Sequence, residues 1–513
     1  MINFTPLLRA YAGRRRRVLA GQDAVATQEK QLLSLVRQAA KTKFGKDHGF
    51  SSIRSVADFQ SAVPLRDYHG FWEAYWKDAF PLLDDVSWPG RIPYFAVTSG
   101  TTSGTSKYIP VSHAMNRANA RAGLDILAHH AAHWPGSKAL GGKGLMLGGS
   151  TDLVKEAPGV FSGDLSGIAV KRVPWWAKQF MFPPLEIALL TDWEEKVGRI
   201  ARLARETHIS IITGTPSWLL ILFEKQQALA DADADADAGA EALYPKLDVL
   251  VHGGVNFKPY RERFEAFLGD HAELREVYPA SEGFIALQDE TPADGLRLLL
   301  DNGLFFEFVP LEELELETPT RHTLATVEPD VNYALVLSSC AGCWAYVIGD
   351  TVRFISTDPP RVVITGRTSY FLSAFGEHVI EEELEEAVTE AASALGNAVS
   401  DFSVGAVYPQ SDGELGRHLF VVEFDAAIEK SAIPVVSGEV DRRLSALNDD
   451  YKAHRSGGFG MDAPEILPVP SGFFAAWMKS RGRLGGQNKV PRIINDATLF
   501  DDLVDFARKQ RLR

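Results

Sequence analysis

Short runs of β-branched and aromatic residues, each bounded by Gly or Pro, alternate along much of this chain with stretches of helical period, and that alternation constrains the fold more than any other feature. The strand-like runs are Tyr94 to Thr98, Gly144 to Leu147, His208 to Ile212, Leu247 to Val251 and Tyr333 to Leu337. Helical stretches lie between several of them, for example Trp193 to Glu206 and Tyr260 to Leu268. This order predicts an α/β fold with β-sheets flanked by helices and largely buried. Nearer the N-terminus, Leu32, Leu33, Leu35, Val36 and Ala39 recur at helical spacing and predict an amphipathic helix over Thr27 to Ala40.

The pattern changes near Ile364-Thr365-Gly366-Arg367. An acidic helix follows from Glu381 to Ala392, then strands over Phe402 to Val407 and His418 to Phe424, then a helix over Val440 to Leu447. This predicts a small α+β C-terminal domain. A length of 513 residues calls for two or three domains. The boundary is placed at Arg367, giving a large N-terminal domain over 1–366 and a mobile C-terminal domain over 367–513. The alternating Asp-Ala tract from Asp231 to Ala238 is low in complexity and reads as a solvated loop or frayed helix end.

Charge narrows the range of partners. Lys plus Arg number 53 against 67 Asp plus Glu, a net charge of −14 that repels nucleic acid and anionic lipid in bulk. Any anionic ligand must therefore be held locally. No apolar run approaches the roughly 20 residues of a membrane-spanning helix, and no signal peptide is evident, so a cytoplasmic protein without nucleic-acid or membrane partners is the expectation, with a monomer favoured and the oligomeric state left open. The basic run Arg14 to Arg17 reads as a solvated helix face in so acidic a chain. The two cysteines, Cys340 and Cys343, are spaced C-x-x-C, but with no further thiol to complete a metal site they read as small core-filling residues.

The segment richest in chemistry is Val97-Thr98-Ser99-Gly100-Thr101-Thr102-Ser103-Gly104-Thr105-Ser106-Lys107, a strand running into a loop of glycines and small hydroxylated residues that ends on a lysine. Glycines let backbone N–H groups approach an anion, and hydroxyls add donors, so the loop suits a polyphosphate. It is not a Walker A loop, since Gly104 is followed by Thr105 rather than lysine.

This loop resembles the phosphate loop of the adenylate-forming (firefly luciferase-like) superfamily, and especially that of the auxin-responsive (Gretchen Hagen) acyl-acid amido synthetases. The resemblance continues in order through Tyr278-Pro279-Ala280-Ser281-Glu282-Gly283, Gly303 to Pro310, Trp344 to Asp350 and Gly486 to Arg492. Thr98 stands where the family has serine, and Ala345 and Val347 stand where it usually has arginine. The segment from Arg367 to Glu377 looks more like the hinge of general acyl ligases.

The resemblance implies an ATP-dependent ligase that converts a small carboxylic acid to its acyl-adenylate and passes the acyl group to an amino acid, with ATP and Mg²⁺ as cofactors. Ser99, Gly100, Thr101, Thr102 and Lys107 would bind the ATP phosphates, Glu282 the magnesium, and Tyr278, Ser281, Asp350 and Arg367 the adenine and ribose. Lys489 would act in adenylation by offsetting charge as the carboxylate attacks phosphorus. Trp218, after Thr213-Gly214-Thr215-Pro216, is a candidate for the acyl pocket. Two alternatives stay open: an acyl-CoA ligase or acyl-protein synthetase with a thiol acceptor, and a non-catalytic nucleotide-binding protein.

Overall fold

A computed structural model describes residues 3–98, 107–148, 153–173, 177–188, 190, 193–233, 243–254, 257, 260–269, 271–291, 294–314, 316–368, 371–372, 379–408, 415–448, 451–452, 455, 461–483 and 489–511. The chain divides into two compact units. The bulk of residues 1–348 together with Val352–Val363 makes the first, and the main pieces of the second are Gly349–Thr351 and Ile364–Arg513.

Among the described residues the first unit is built on two sheets. The larger begins with five parallel strands in the spatial order Met181–Phe182, Lys143–Leu147, Ile209–Gly214, Val249–Gly253 and Glu273–Ala280. It turns antiparallel at Gly283–Leu287 and Leu296–Leu298, and continues through Pro360–Arg367 and Tyr346–Thr357, whose residues Ile364–Arg367 and Gly349–Thr351 are counted with the second unit, to Asn332–Ser339 and Leu304–Pro310. The smaller sheet sets Tyr94–Thr98 between Lys107–Val111 and Val160–Gly163. The parallel strands are bracketed by helices, as the alternation predicts: Trp193–Ala204, Pro216–Asp233 and Arg261–Leu268 pack Ile200, Leu219, Phe223 and Phe264 against Ile209, Ile212 and Leu250. The amphipathic helix expected over Thr27 to Ala40 spans Ala24–Ala39 and buries Leu32, Leu35, Val36 and Ala39. The Asp-Ala tract enters the end of Pro216–Asp233, and its remainder lies outside the described residues.

The second unit is a three-stranded sheet, Val399–Val407, Arg417–Phe424 and Glu465–Val469, with helices on both faces. Its middle strand is apolar on both sides because both are covered. Phe420, Val422 and Phe424 join a cluster with the helices Glu381–Ser393 and Ile433–Leu447, while Leu419 and Val421 join one with Phe473–Ser480 and Ala497–Arg511. Glu381, Glu382 and Glu383 occupy the first turn of Glu381–Ser393, where carboxylates complement the helix dipole, and Glu383 accepts the N–H of Ile380 at 3.0 Å. Among the described residues no helix is long and apolar enough to cross a membrane.

The expectation of a solvated face over Arg14 to Arg17 fails at Arg15. The first helix, Thr5–Ala20, buries Leu8, Ala12, Arg15 and Leu19, a spacing that carries Arg15 onto its inward stripe. There its guanidinium meets Asp125 at 2.9 Å and forks onto Asp301 at 2.7 and 2.8 Å, so a buried charge is fully paired. Cys340 and Cys343 are free and buried; burial pushes the Cys340 thiol up to about 12 and raises that of Cys343 as well.

Candidate active site

In the first unit, Ala280 pairs with Gly283, so Ser281 and Glu282 alone form the turn that joins two antiparallel strands. Gly283 is required there. Its φ is 155°, and a Cβ would lie 2.7 Å from Leu304 Cδ2. The tight turn leaves Glu282 only 8% exposed, hydrogen-bonded to the buried phenol of Tyr346. Burial, and next the charge of Glu282, push that phenol well above its ordinary range, and the same two causes act on the Cys343 thiol. Tyr278, opposite Ala286, is buried at 5% exposure within the cluster that holds Ile285 and Phe306.

Lys107 opens its strand opposite Thr98, with its ammonium 5.6 Å from the centre of the Tyr68 ring, a cation–π contact. The Tyr68 hydroxyl in turn accepts the N–H of Tyr108 at 3.0 Å. Ser99, Gly100, Thr101 and Thr102 lie outside the described residues. Trp218 sits in the helix Pro216–Asp233, partly buried against the cluster of Leu219, Leu222 and Phe223.

Within the second unit the chain brings together residues far apart in sequence. Asp350 and Arg367 form an ion pair at 3.3 Å. Gly349 has φ of 93°, and the carbonyl beside that bend accepts the N–H of Thr368 at 2.8 Å, which ties the two segments together. Lys489 joins this pair. The residue is exposed, and its pKa lies below the ordinary lysine value through partial desolvation of the ammonium first, opposed by Asp350 and Glu381 and assisted by Arg367. The Glu381 carboxyl is raised to about 7, by burial first and the neighbouring charge of Glu385 second, against Arg492, Lys489 and Arg367.

The segment after Lys489 is pinned to the edge of Val399–Val407. Val404 donates to the Arg492 carbonyl, Ile494 donates to the Val404 carbonyl, each at 2.8 Å, and Ser403 Oγ donates to the Pro491 carbonyl at 2.7 Å. Arg492 pairs with Asp401 and, at 3.6 Å, with Glu385. Of the residues singled out in the sequence, then, Asp350, Arg367 and Lys489 meet in one charged cluster of the second unit, while Glu282 stands on its turn in the first. Tyr346, Glu381, Glu385 and Arg492 belong to these sites and went unassigned. Tyr346 and Arg492 lie inside the segments Trp344 to Asp350 and Gly486 to Arg492, and the run of acids opening the helix at Glu381 signals the other two.

Three family profiles match the chain: GH3 family N-terminal domain over residues 18–197, GH3 family central domain over 297–367 and GH3 family C-terminal domain over 382–498. The indole-3-acetic acid-amido synthetase GH3.3 of Arabidopsis thaliana is 26% identical over 336 residues, covering 61% of this chain and 56% of that protein. The chain thus spans little more than half the length of that curated relative in the match. Among solved structures, the AtGH3.15 acyl acid amido synthetase in complex with 2,4-DB has a TM-score of 0.79 at 19% identity, over 98% of this chain and 97% of that one. A 2-hydroxyisobutyryl-CoA ligase in the postadenylation state has a TM-score of 0.60 at 15% identity, over 95% and 92%. At such identities these two likenesses speak for the fold.

Proposed function

Because this chain belongs to the GH3 family, we propose that it is an ATP-dependent acyl-acid amido synthetase: it activates a carboxylic acid as the acyl-adenylate with release of pyrophosphate, then transfers the acyl group to the amine of an amino acid, leaving AMP. The observation that carries the reading is the cluster of Asp350, Arg367, Glu381 and Lys489. In adenylation one anion, the carboxylate, must attack another, the α-phosphate. A lysine among the charges of Asp350, Arg367 and Glu381 can offset that repulsion as the bond forms. Lys489 is assigned that role. Asp350 offers two acceptor oxygens to the ribose hydroxyls, with Arg367 fixing its carboxylate.

Ser99, Gly100, Thr101, Thr102 and Lys107 are assigned to the β- and γ-phosphates, and Tyr278 and Ser281 to the adenosine. Among the described residues no three His, Cys, Asp or Glu side chains converge as a metal cage. Magnesium would be held through nucleotide phosphates and one protein carboxylate, and Glu282, on the two-residue turn between Ala280 and Gly283, is assigned to it. The metal would neutralise charge on the leaving pyrophosphate. Acyl transfer needs no protein nucleophile, since the amine attacks a mixed anhydride with a good leaving group, and the two buried thiols are accordingly not assigned to it.

The test is carboxylate-dependent exchange of labelled pyrophosphate into ATP with aryl, indole and fatty acids, followed by AMP release with single amino acids or CoA. Exchange, and AMP release on adding an amino acid, are the expected results. AMP release with CoA alone would identify an acyl-CoA ligase, and no exchange with any acid would leave a nucleotide-binding protein. Indole-3-acetic acid, named for the Arabidopsis relative, is the first acid to try.

A further inference from the structure

The basic run of the first helix has no part in this chemistry, yet its outward arginines are not scattered. Arg9, Arg16 and Arg17 line a cleft of about 720 Å³ together with His129 and Arg297, all within the first unit. Two acids also line it: Asp289 is matched by guanidiniums, and Glu290, which only shares a hydrogen bond with His133, leaves a single negative charge against Arg9, Arg16 and Arg17. Asp289 is held by Arg297 at 3.3 Å and by Arg361 at 2.5 Å, and Glu290 by His133 at 3.1 Å. Arg9 donates to the Ser137 carbonyl at 2.9 Å and Arg17 to the Gly13 carbonyl at 3.0 Å, neutral acceptors that leave both charges uncompensated. His129 is 4% exposed, and its Nδ1 has no hydrogen-bond partner. A buried polar atom without a partner is costly unless something else satisfies it.

We propose that this cleft binds a small phosphate-bearing polyanion, of the size of inorganic triphosphate or a nucleotide, at a site separate from adenylation. None of the residues assigned to adenylation lines it. Guanidinium forks match the oxygens of phosphate, several of them on one concave surface call for several negative charges, and the volume falls in the usual range of about 300 to 1,000 Å³ for small-ligand sites. In a protein of net charge −14 such a cleft reverses the local field and concentrates anions that the rest of the surface repels.

The test is calorimetric titration of the full chain with sodium triphosphate, and separately with a non-hydrolysable ATP analogue, at fixed ionic strength. The double variant Arg16→Ala/Arg17→Ala should lose at least tenfold in triphosphate affinity while its acid-dependent pyrophosphate exchange stays unchanged. Gly13→Leu fills the cleft without altering charge, since a Cβ there meets nothing within 4 Å, and should lose affinity equally. Wild-type melting temperatures would show that both variants fold. A loss confined to the analogue identifies a nucleotide as the ligand, and a loss for both identifies the phosphate chain. Unchanged triphosphate and analogue affinity in the double variant overturns the proposal, as does full affinity in Gly13→Leu.

Discussion

Lys489 is where the assigned chemistry is most exposed to test. Adenylation brings two anions together, whereas aminolysis of a formed adenylate does not. Lys489→Ala should therefore slow acid-dependent exchange by about 10²- to 10³-fold, the usual effect of losing one preorganised charge-stabilising group, and slow aminolysis of supplied acyl-adenylate less than about tenfold. Equal loss in both half-reactions would remove the lysine from this role. Its neighbour Glu381 gives a prediction in pH. Its carboxyl rises from the ordinary 4.5 to about 7 on folding, so the native state binds that proton more tightly than the unfolded chain does. The stability this contributes is complete below about pH 4.5 and is lost as the pH climbs through about 7. Glu381→Gln, which stays neutral, should have a flatter profile in urea titrations and gain on the wild type between pH 5 and pH 8. Parallel profiles would show that the native carboxyl titrates normally.

Elements were legible where a local pattern suffices. The strand Tyr94–Thr98 has the bounds its residues suggest, and the helices Trp193–Ala204 and Glu381–Ser393 lie where period and acidic first turns place them. The run Leu247 to Val251 is instead a strand over Val249–Gly253. Its end is set by its parallel neighbours, which hold His252 opposite Glu276 and Gly253 opposite Val277, and no local apolar count contains that pairing. Two glycines separate helix propensity from tertiary constraint. Gly438 is exposed in the helix Ile433–Leu447, and a Cβ there meets nothing within 4 Å, so Gly438→Ala should stabilise by about 0.5–1 kcal/mol. Gly283→Ala must meet Leu304 at a strained φ and should cost about 1–3 kcal/mol. Urea midpoints measure both, and a Gly283→Ala protein as stable as the wild type would show that the turn tolerates a side chain.

For the whole molecule, two compact units with separate apolar clusters should unfold as two cooperative steps. Calorimetry should resolve two transitions, with Gly438→Ala raising only the one that belongs to the second unit. A single transition whose calorimetric and van't Hoff enthalpies agree would contradict this. The sequence by itself determined the α/β class, most elements and the motifs that single out Glu282, Asp350, Arg367 and Lys489, because periodicity and motif order are written in neighbouring residues. Tertiary structure alone decided that Arg15 turns inward to Asp125 and Asp301, that Tyr346 bonds Glu282, and that Glu381 shares the environment of Lys489. Each of these depends on partners about 60 to 290 positions away, and burial, which sets the cost of a charge, belongs to the folded chain and to no residue in isolation.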